Sequence, residues 1–400
     1  MFLPYASDQK RTRLPVATLS LLVINCIIYI GFVGAHAANG RSYQSLMAPW
    51  SILPSTLRLY TLITYMFAHA SIVHLVVNMF FLAVFGAGVE DAVGAWRLTG
   101  AYLLCGVAGG ILEFLVVTRF VPEALWSIPI AGASAACAGL VGVYAVRYYR
   151  ARISFALTPL RPHVVVVVAG FFLYQVIAAL LSLIHNDQSA AAAYWAHLGG
   201  FTVGMGFATL LGLRTAGEVN YTQADAYRAL ESGRPGESLA RWNAVLARDP
   251  NNTTAMLETA RCWFALGEVD HTQEMFTRLL QLHTSRGDRP AAAAIAFELE
   301  TLKLTHKALP AAVVLDIAAA LEQKSNYALS QHYYNEASLL ADCTAPDAAL
   351  LRAATLLAKR LHDTARATLL LTRLIEEYPG SPWRSQATDL LDALNDLPRP

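Results

Sequence analysis

The chain has 400 residues, of which 55% are apolar and only 15% charged, with a formal net charge of +1. A soluble chain carries about 25% charge, so this composition sets the protein apart from a wholly soluble globular one. The near-neutral balance gives no reason to expect a nucleic-acid partner.

The composition is split: residues 16–213 hold long uncharged runs, whereas residues 218–400 carry ordinary charge and much Ala, Leu and Arg. Residues 1–15 form a polar N-terminal segment with Lys10, Arg11 and Arg13 ahead of the first apolar run. Residues 16–34 are long enough to cross a hydrocarbon layer of about 30 Å. A cleaved signal peptide is the competing reading, because Ala35-His-Ala37 mimics a cleavage site; against it, the run is long and more spans follow. Residues 37–70 make an aromatic, amphipathic loop suited to the membrane interface. Further spans are predicted at 72–89, 98–118, 130–149, 163–184 and 191–213. Six spans put both termini on one side. With the termini inside, the inner segments hold Lys10, Arg11, Arg13, Arg97, Arg147, Arg150, Arg152, Arg161 and Arg214, against Arg41, Arg58 and Arg119 outside. That bias predicts cytoplasmic termini. Cys26, Cys105, Cys137, Cys262 and Cys343 include no CxxC pair and are expected as free thiols, with the tail in a reducing compartment.

Polar residues at membrane depth are functional candidates. Spans two, four and six run in the same direction, and His74, Ser134 and His197 stand near their starts, at one level. Ser134 lies in Ile130-Ala-Gly-Ala-Ser-Ala-Ala-Cys-Ala-Gly139, expected to open a helix running to about Tyr148. His197 lies in Ala196-His-Leu-Gly-Gly200. A small-residue face on span four (Gly132, Ala135, Ala138, Gly139, Gly142) and one on span six (Gly199, Gly200, Gly204, Gly206) would let the two helices approach closely. A serine hydroxyl needs a base within hydrogen-bond reach, and His197 is the candidate. No buried acid is evident as its partner, so a Ser-His dyad is expected. Ser134 at a helix start could also offer its backbone N–H to an oxyanion. His74 and Asn78, spaced i, i+4, share one helix face and can supply further donors. Taken singly, a serine in a membrane helix usually bonds its own backbone and an Asn is often an interhelical bond; their joint depth points to a site. His69 is expected to cap or brace the first loop, Glu90, at the inner end of span two, to tie the loop to span three, and Glu113 to hold an interfacial position near the outer face, with a role in a water path as the alternative.

The motifs His74-Leu-Val-Val-Asn78, Phe85-Gly-Ala-Gly-Val-Glu90, Gly132-Ala-Ser134 and Ala196-His-Leu-Gly-Gly200, with Arg58 to His69 in the first loop, resemble the rhomboid intramembrane proteases over about residues 16–213. The resemblance implies a Ser134 nucleophile, a His197 base, and oxyanion donors His74, Asn78 and the Ser134 N–H. It implies single-span membrane proteins as substrates, cut near the outer membrane face, with no metal or cofactor. Ala135 departs from the family's glycine after the serine and could crowd the oxyanion site or a neighbouring helix; Leu57-Arg58 stands where many relatives have Trp-Arg.

In the tail, Ala226…Gly233…Ser238…Trp242…Val245…Pro250 is followed 34 residues on by Ala260…Gly267…Thr272…Phe276…Leu279. Small residues at a helix crossing, a turn glycine and an aromatic on the second helix fit a helix-turn-helix repeat. The pattern resembles tetratricopeptide repeats. It recurs loosely around Ala318…Ala337 and Ala358…Pro379, with a phase slip over 284–309 that implies a degenerate unit, although 291–304 still reads as helix.

The expected architecture is all-α: a cytoplasmic N-terminal segment (1–15), a six-span rhomboid-like bundle (16–213), a linker (214–220) and a tetratricopeptide-like domain (221–400). The expected setting is a bacterial inner membrane, with the lipid bilayer and membrane-protein substrates as partners and a cytoplasmic protein docking on the repeats. The alternative is a non-enzymatic rhomboid-like adaptor that binds spans without cutting and recruits partners, favoured only by Ala135. A transporter is disfavoured by the lack of broken helices in paired halves.

Overall fold

The computed structural model describes residues 4–7, 13–155, 159–185 and 193–395. Lys10, Arg11 and the first two residues of the expected sixth span fall outside them. The chain divides into two compact units, Met1–Glu218 and Val219–Pro400.

Six apolar helices build the first unit: α1 (Val16–Asn39), α2 (Ile72–Val93), α3 (Ala95–Phe120), α4 (Ser134–Arg147), α5 (Val164–His185) and α6 (Tyr194–Leu210). Helices suit these runs because every backbone hydrogen bond closes within the segment, as lipid requires. Apolar side chains such as Ile27, Ile30, Val73, Leu115 and Leu173 face outward, which a hydrocarbon solvent tolerates. These six helices fall on the six predicted apolar runs. Among the described residues, four are long and apolar enough to cross a bilayer, or five if Tyr194–Leu210 and the bent continuation Leu213–Glu231 count as one span, whereas α4 has 14 residues. At 1.5 Å per residue α4 reaches only about 21 Å. It begins at Ser134, four residues after the predicted start, because Ile130 pairs with Ile52 in an antiparallel bridge and Gly132 (φ +122°) donates its N–H to Tyr65 O at 2.8 Å. Residues 130–133 are therefore non-helical backbone held by the first loop, which is allowed at membrane depth where protein covers it.

The buried faces of α3, α4 and α6 meet through small residues. A Cβ placed on Gly142 would stand 2.6 Å from Phe201 O, and one on Gly200 would stand 2.9 Å from the Ala135 carbonyl carbon. Backbone thus approaches backbone, and dispersion between main chains replaces side-chain interdigitation. Gly206, expected on the same face, has no neighbour within 4 Å of such a Cβ.

Two helix starts are capped by carboxylates from elsewhere in the chain. Glu90 accepts from Ala17 N, Thr18 N and Thr18 Oγ1 at 2.9, 2.8 and 2.7 Å, so it ties α2 to the first turn of α1 rather than to α3. The anion also complements the positive end of that helix. A short antiparallel pair, β1 (Pro4–Ser7) with β2 (Ile153–Phe155), fastens the N-terminal segment to the α4–α5 connection. All five cysteines are free thiols.

In the second unit, α7 (Leu213–Glu231, starting before the division), α8 (Pro235–Arg248), α9 (Thr253–Ala265), α10 (Val269–Ser285) and α11 (Arg289–Thr301) lead to α12 (Ala311–Gln323), α13 (Tyr327–Leu339), α14 (Pro346–Leu356), α15 (Thr364–Glu377) and α16 (Arg384–Asn395). Residues 214–220, expected as a joint, are helical and belong to α7. Ala226, Ser238, Trp242, Ala260, Thr272 and Phe276, which carry the 34-residue spacing, are all fully buried. The phase slip is α11, whose following segment, 302–310, is not a helix. Turn glycines at 233, 267 and 287 give way to Lys303, Ser325 and His362, all with positive φ. The left-handed turn persists without the residue that signals it.

Candidate active site

Ser134 and His197 come together: Ser134 Oγ lies 2.8 Å from His197 Nε2. The serine is the first residue of α4, where backbone N–H groups lack intrahelical partners. The histidine sits one turn into α6. The glycine contacts just described set the α4–α6 separation that makes this bond possible.

A cavity of about 380 Å³ opens on the pair, lined by His74, Asn78, Ser134, His197, Glu113 and Tyr194 among others. All four residues singled out in the sequence therefore border one space. Ser71 caps α2 by accepting from His74 N at 3.2 Å, so His74 and Asn78 project from its first two turns. Asn78 is buried, and its Nδ2 meets no acceptor among the described residues. A buried donor left unpaired costs about 1–3 kcal/mol, so this amide is available to donate into the cavity it lines. Gly132 brings the backbone against this wall: a Cβ there would stand 2.6 Å from His74 Cε1 and 3.5 Å from Asn78 Nδ2.

His69 is fully buried and braces the first loop. Its carbonyl accepts from Tyr43 Oη at 2.6 Å, its Nε2 accepts from Ala133 N at 3.4 Å, and its ring packs edge-on against His74 at 5.3 Å. Glu113, late in α3, is buried within the protein. Its Oε2 accepts from Ala196 N at 2.8 Å, so it caps the start of α6 beside His197. The capping role was not legible in the sequence, because the partner N–H lies eighty-three residues away and leaves no mark in the local pattern.

Ala135 does not crowd the cavity wall. Its methyl group fills the space left by Gly109 on α3, where a Cβ would lie 2.7 Å from it. The sequence reading missed Gln175, buried on α5, whose Oε1 lies 3.0 Å from His197 Nδ1. The available signal was a lone carboxamide in the middle of a strongly apolar helix.

The family profile described as the rhomboid domain matches residues 56–214, and that of the tetratricopeptide repeat matches residues 348–381. The latter covers α14 and α15, where the fourth unit was expected. Rhomboid-like protease 3 of Toxoplasma gondii is 26% identical over 34% of this chain and 47% of its own length. RHOMBOID-like protein 6, mitochondrial, of Arabidopsis thaliana is 42% identical over 20% of this chain and 24% of its own length. Rhomboid-like protein 11, chloroplastic, of the same plant is 33% identical over 25% of this chain and 33% of its own length. The matches span less than half the length of each of these relatives. Apolar helices of span length and both profiles agree: this is a membrane protein with a rhomboid domain over residues 56–214, followed by a helical region in which residues 348–381 match the tetratricopeptide repeat.

Proposed function

We propose that the protein is an intramembrane serine endopeptidase. The observation that carries this reading is the 2.8 Å contact between Ser134 Oγ and His197 Nε2 at a cavity also lined by the unpaired amide of Asn78. The name of the Toxoplasma gondii relative, a rhomboid-like protease, supports it.

In this mechanism Ser134 Oγ attacks the carbonyl carbon of a peptide bond. The Oγ–C bond forms, the hydroxyl proton passes to His197 Nε2, and the carbonyl π pair becomes an oxyanion. Asn78 Nδ2, the His74 ring and the Ser134 N–H donate to that oxyanion. Preorganised donors in a dry site are worth far more than in water. Collapse breaks the C–N bond, and the leaving amine takes the proton from His197. Water then repeats the sequence and frees the acid from Ser134.

The substrates in this reading are single-span membrane proteins, which enter from the bilayer and are cut near the outer face. The repeats dock a substrate tail or a cytoplasmic partner, since stacked helix pairs form extended binding surfaces. Both termini face the cytoplasm of a bacterial inner membrane, on the Lys/Arg bias of the connecting segments. The test is cleavage of a single-span reporter co-reconstituted in vesicles. Wild type should cut it, and Ser134→Ala and His197→Ala should not. Cutting by Ser134→Ala would overturn the assignment. If a chain lacking residues 221–400 processed every substrate and retained every co-purifying protein, the docking role would be withdrawn.

A further inference from the structure

Both ring nitrogens of His197 are engaged. Nε2 faces Ser134 Oγ at 2.8 Å, and Nδ1 faces Gln175 Oε1 at 3.0 Å. Gln175 belongs to α5, whose neighbouring side chains Leu173, Tyr174 and Ile177 are about half exposed, while Gln175 itself is only 4% exposed. The carboxamide of the helix middle is thus turned inward onto the histidine.

A neutral imidazole carries one proton. For Nε2 to take the serine proton, the ring N–H must already sit on Nδ1, and a buried N–H needs an acceptor. We propose that Gln175 is a positioning residue that selects the reactive tautomer of His197, completing a Ser134–His197–Gln175 relay. Its amide oxygen accepts from Nδ1–H, which leaves the Nε2 lone pair aimed at Ser134. The ring is also fixed in rotation, because it is held at both ends. A carboxylate would do the same and would stabilise the imidazolium, but an anion on a lipid-facing helix is costly to bury. A carboxamide selects the tautomer without a charge.

This inference rests on the protease reading, and its tests separate the two. Among the described residues, the other titratable groups around the cavity are His74 on α2, beside His69, Glu113 on α3 and Tyr194 on α6; these stay constant across the variants. The probe is a fluorophosphonate, whose phosphorus takes Ser134 Oγ and releases fluoride as the proton moves to His197. Its second-order labelling rate is followed against pH. Gln175→Leu, which lacks the acceptor, should slow labelling about 10- to 100-fold. Gln175→Glu should keep labelling and move the acid limb of the profile upward by about one pH unit or more, through the new charge beside the ring. A purely structural role would not move that limb. In wild type, nitrogen NMR of labelled histidine should place the His197 proton on Nδ1. That measurement needs no variant to fold. A proton on Nε2, an unmoved acid limb in a labelling Gln175→Glu protein, or undiminished labelling of Gln175→Leu would each overturn the proposal and leave the protease reading standing. Absence of wild-type labelling at Ser134 would instead remove the protease reading itself.

Discussion

Gly200→Ala should damage the protein twice, in stability and in reactivity. The added Cβ would stand 2.9 Å from the Ala135 carbonyl carbon on α4 and 3.3 Å from Cys105 O on α3, with the Ala135 oxygen nearer still. These neighbours are main chain, so no side chain can rotate aside. Ordinary contact begins near 3.4 Å, and α6 would have to retreat from α4 by roughly 1 Å, an overpacking that costs about 1–3 kcal/mol. Ala135 adjoins Ser134, and Gly200 is three residues from His197. The same retreat would stretch the 2.8 Å serine–histidine contact beyond hydrogen-bond range. A misplacement of about 1 Å costs on the order of 100-fold in rate. Thermal unfolding in detergent reads the first effect and fluorophosphonate labelling the second. Gly206→Ala, with nothing within 4 Å of the new methyl, is the control and should match wild type or gain about 1 kcal/mol from helix propensity. Wild-type unfolding and labelling in Gly200→Ala would refute the idea that backbone contact between α4 and α6 sets the site.

Ala135→Gly should bring no gain in labelling, because the methyl group already fits against Gly109; unfolding should show a loss of about 1 kcal/mol from helix propensity. Glu113→Ala should slow labelling about 10-fold by freeing the first turn of α6, with a loss of cap stability of about 0.5–2 kcal/mol. Glu113→Gln, whose amide oxygen can still accept from Ala196, should lie between that variant and wild type. In the repeats, His306 has a raised pKa. Burial lowers it, but hydrogen bonds to Glu336 and to the Lys307 carbonyl, with the Glu336 charge, outweigh burial. A raised folded-state value stabilises below the unfolded pKa near 6.5 and is lost as pH rises through the folded value. Hydrogen-exchange protection of residues 289–339, corrected for intrinsic rate, should therefore fall as pH rises above 6.5, and Glu336→Gln should flatten the trend.

The parts of the fold legible in the sequence were those written in local pattern. Apolar runs announced the six helices, and polar residues inside them announced Ser134, His197, His74 and Asn78. The buried Ala226, Trp242 and Phe276 announced the repeat. What escaped depends on contacts between distant segments. The start of α4 is set by the bridge from Ile130 to Ile52, and nothing near Ile130 distinguishes it from a helical residue. Glu90 and Glu113 cap α1 and α6 across 72 and 83 residues respectively. Gln175 belongs to no local motif and matters only because α5 turns it onto His197. The later repeats blurred because Lys303, Ser325 and His362 occupy left-handed turns where glycine marks the earlier ones, and because α14 runs on into a wider π turn at Leu357–Leu361.

The most direct test of the account is the site of covalent capture. Purified wild-type protein is treated with a fluorophosphonate, and the adduct is mapped by peptide mass spectrometry. One adduct is expected, on Ser134, which both Ser134→Ala and His197→Ala abolish while the fold survives. A well-folded wild type without an adduct, or an adduct unaffected by His197→Ala, would contradict it.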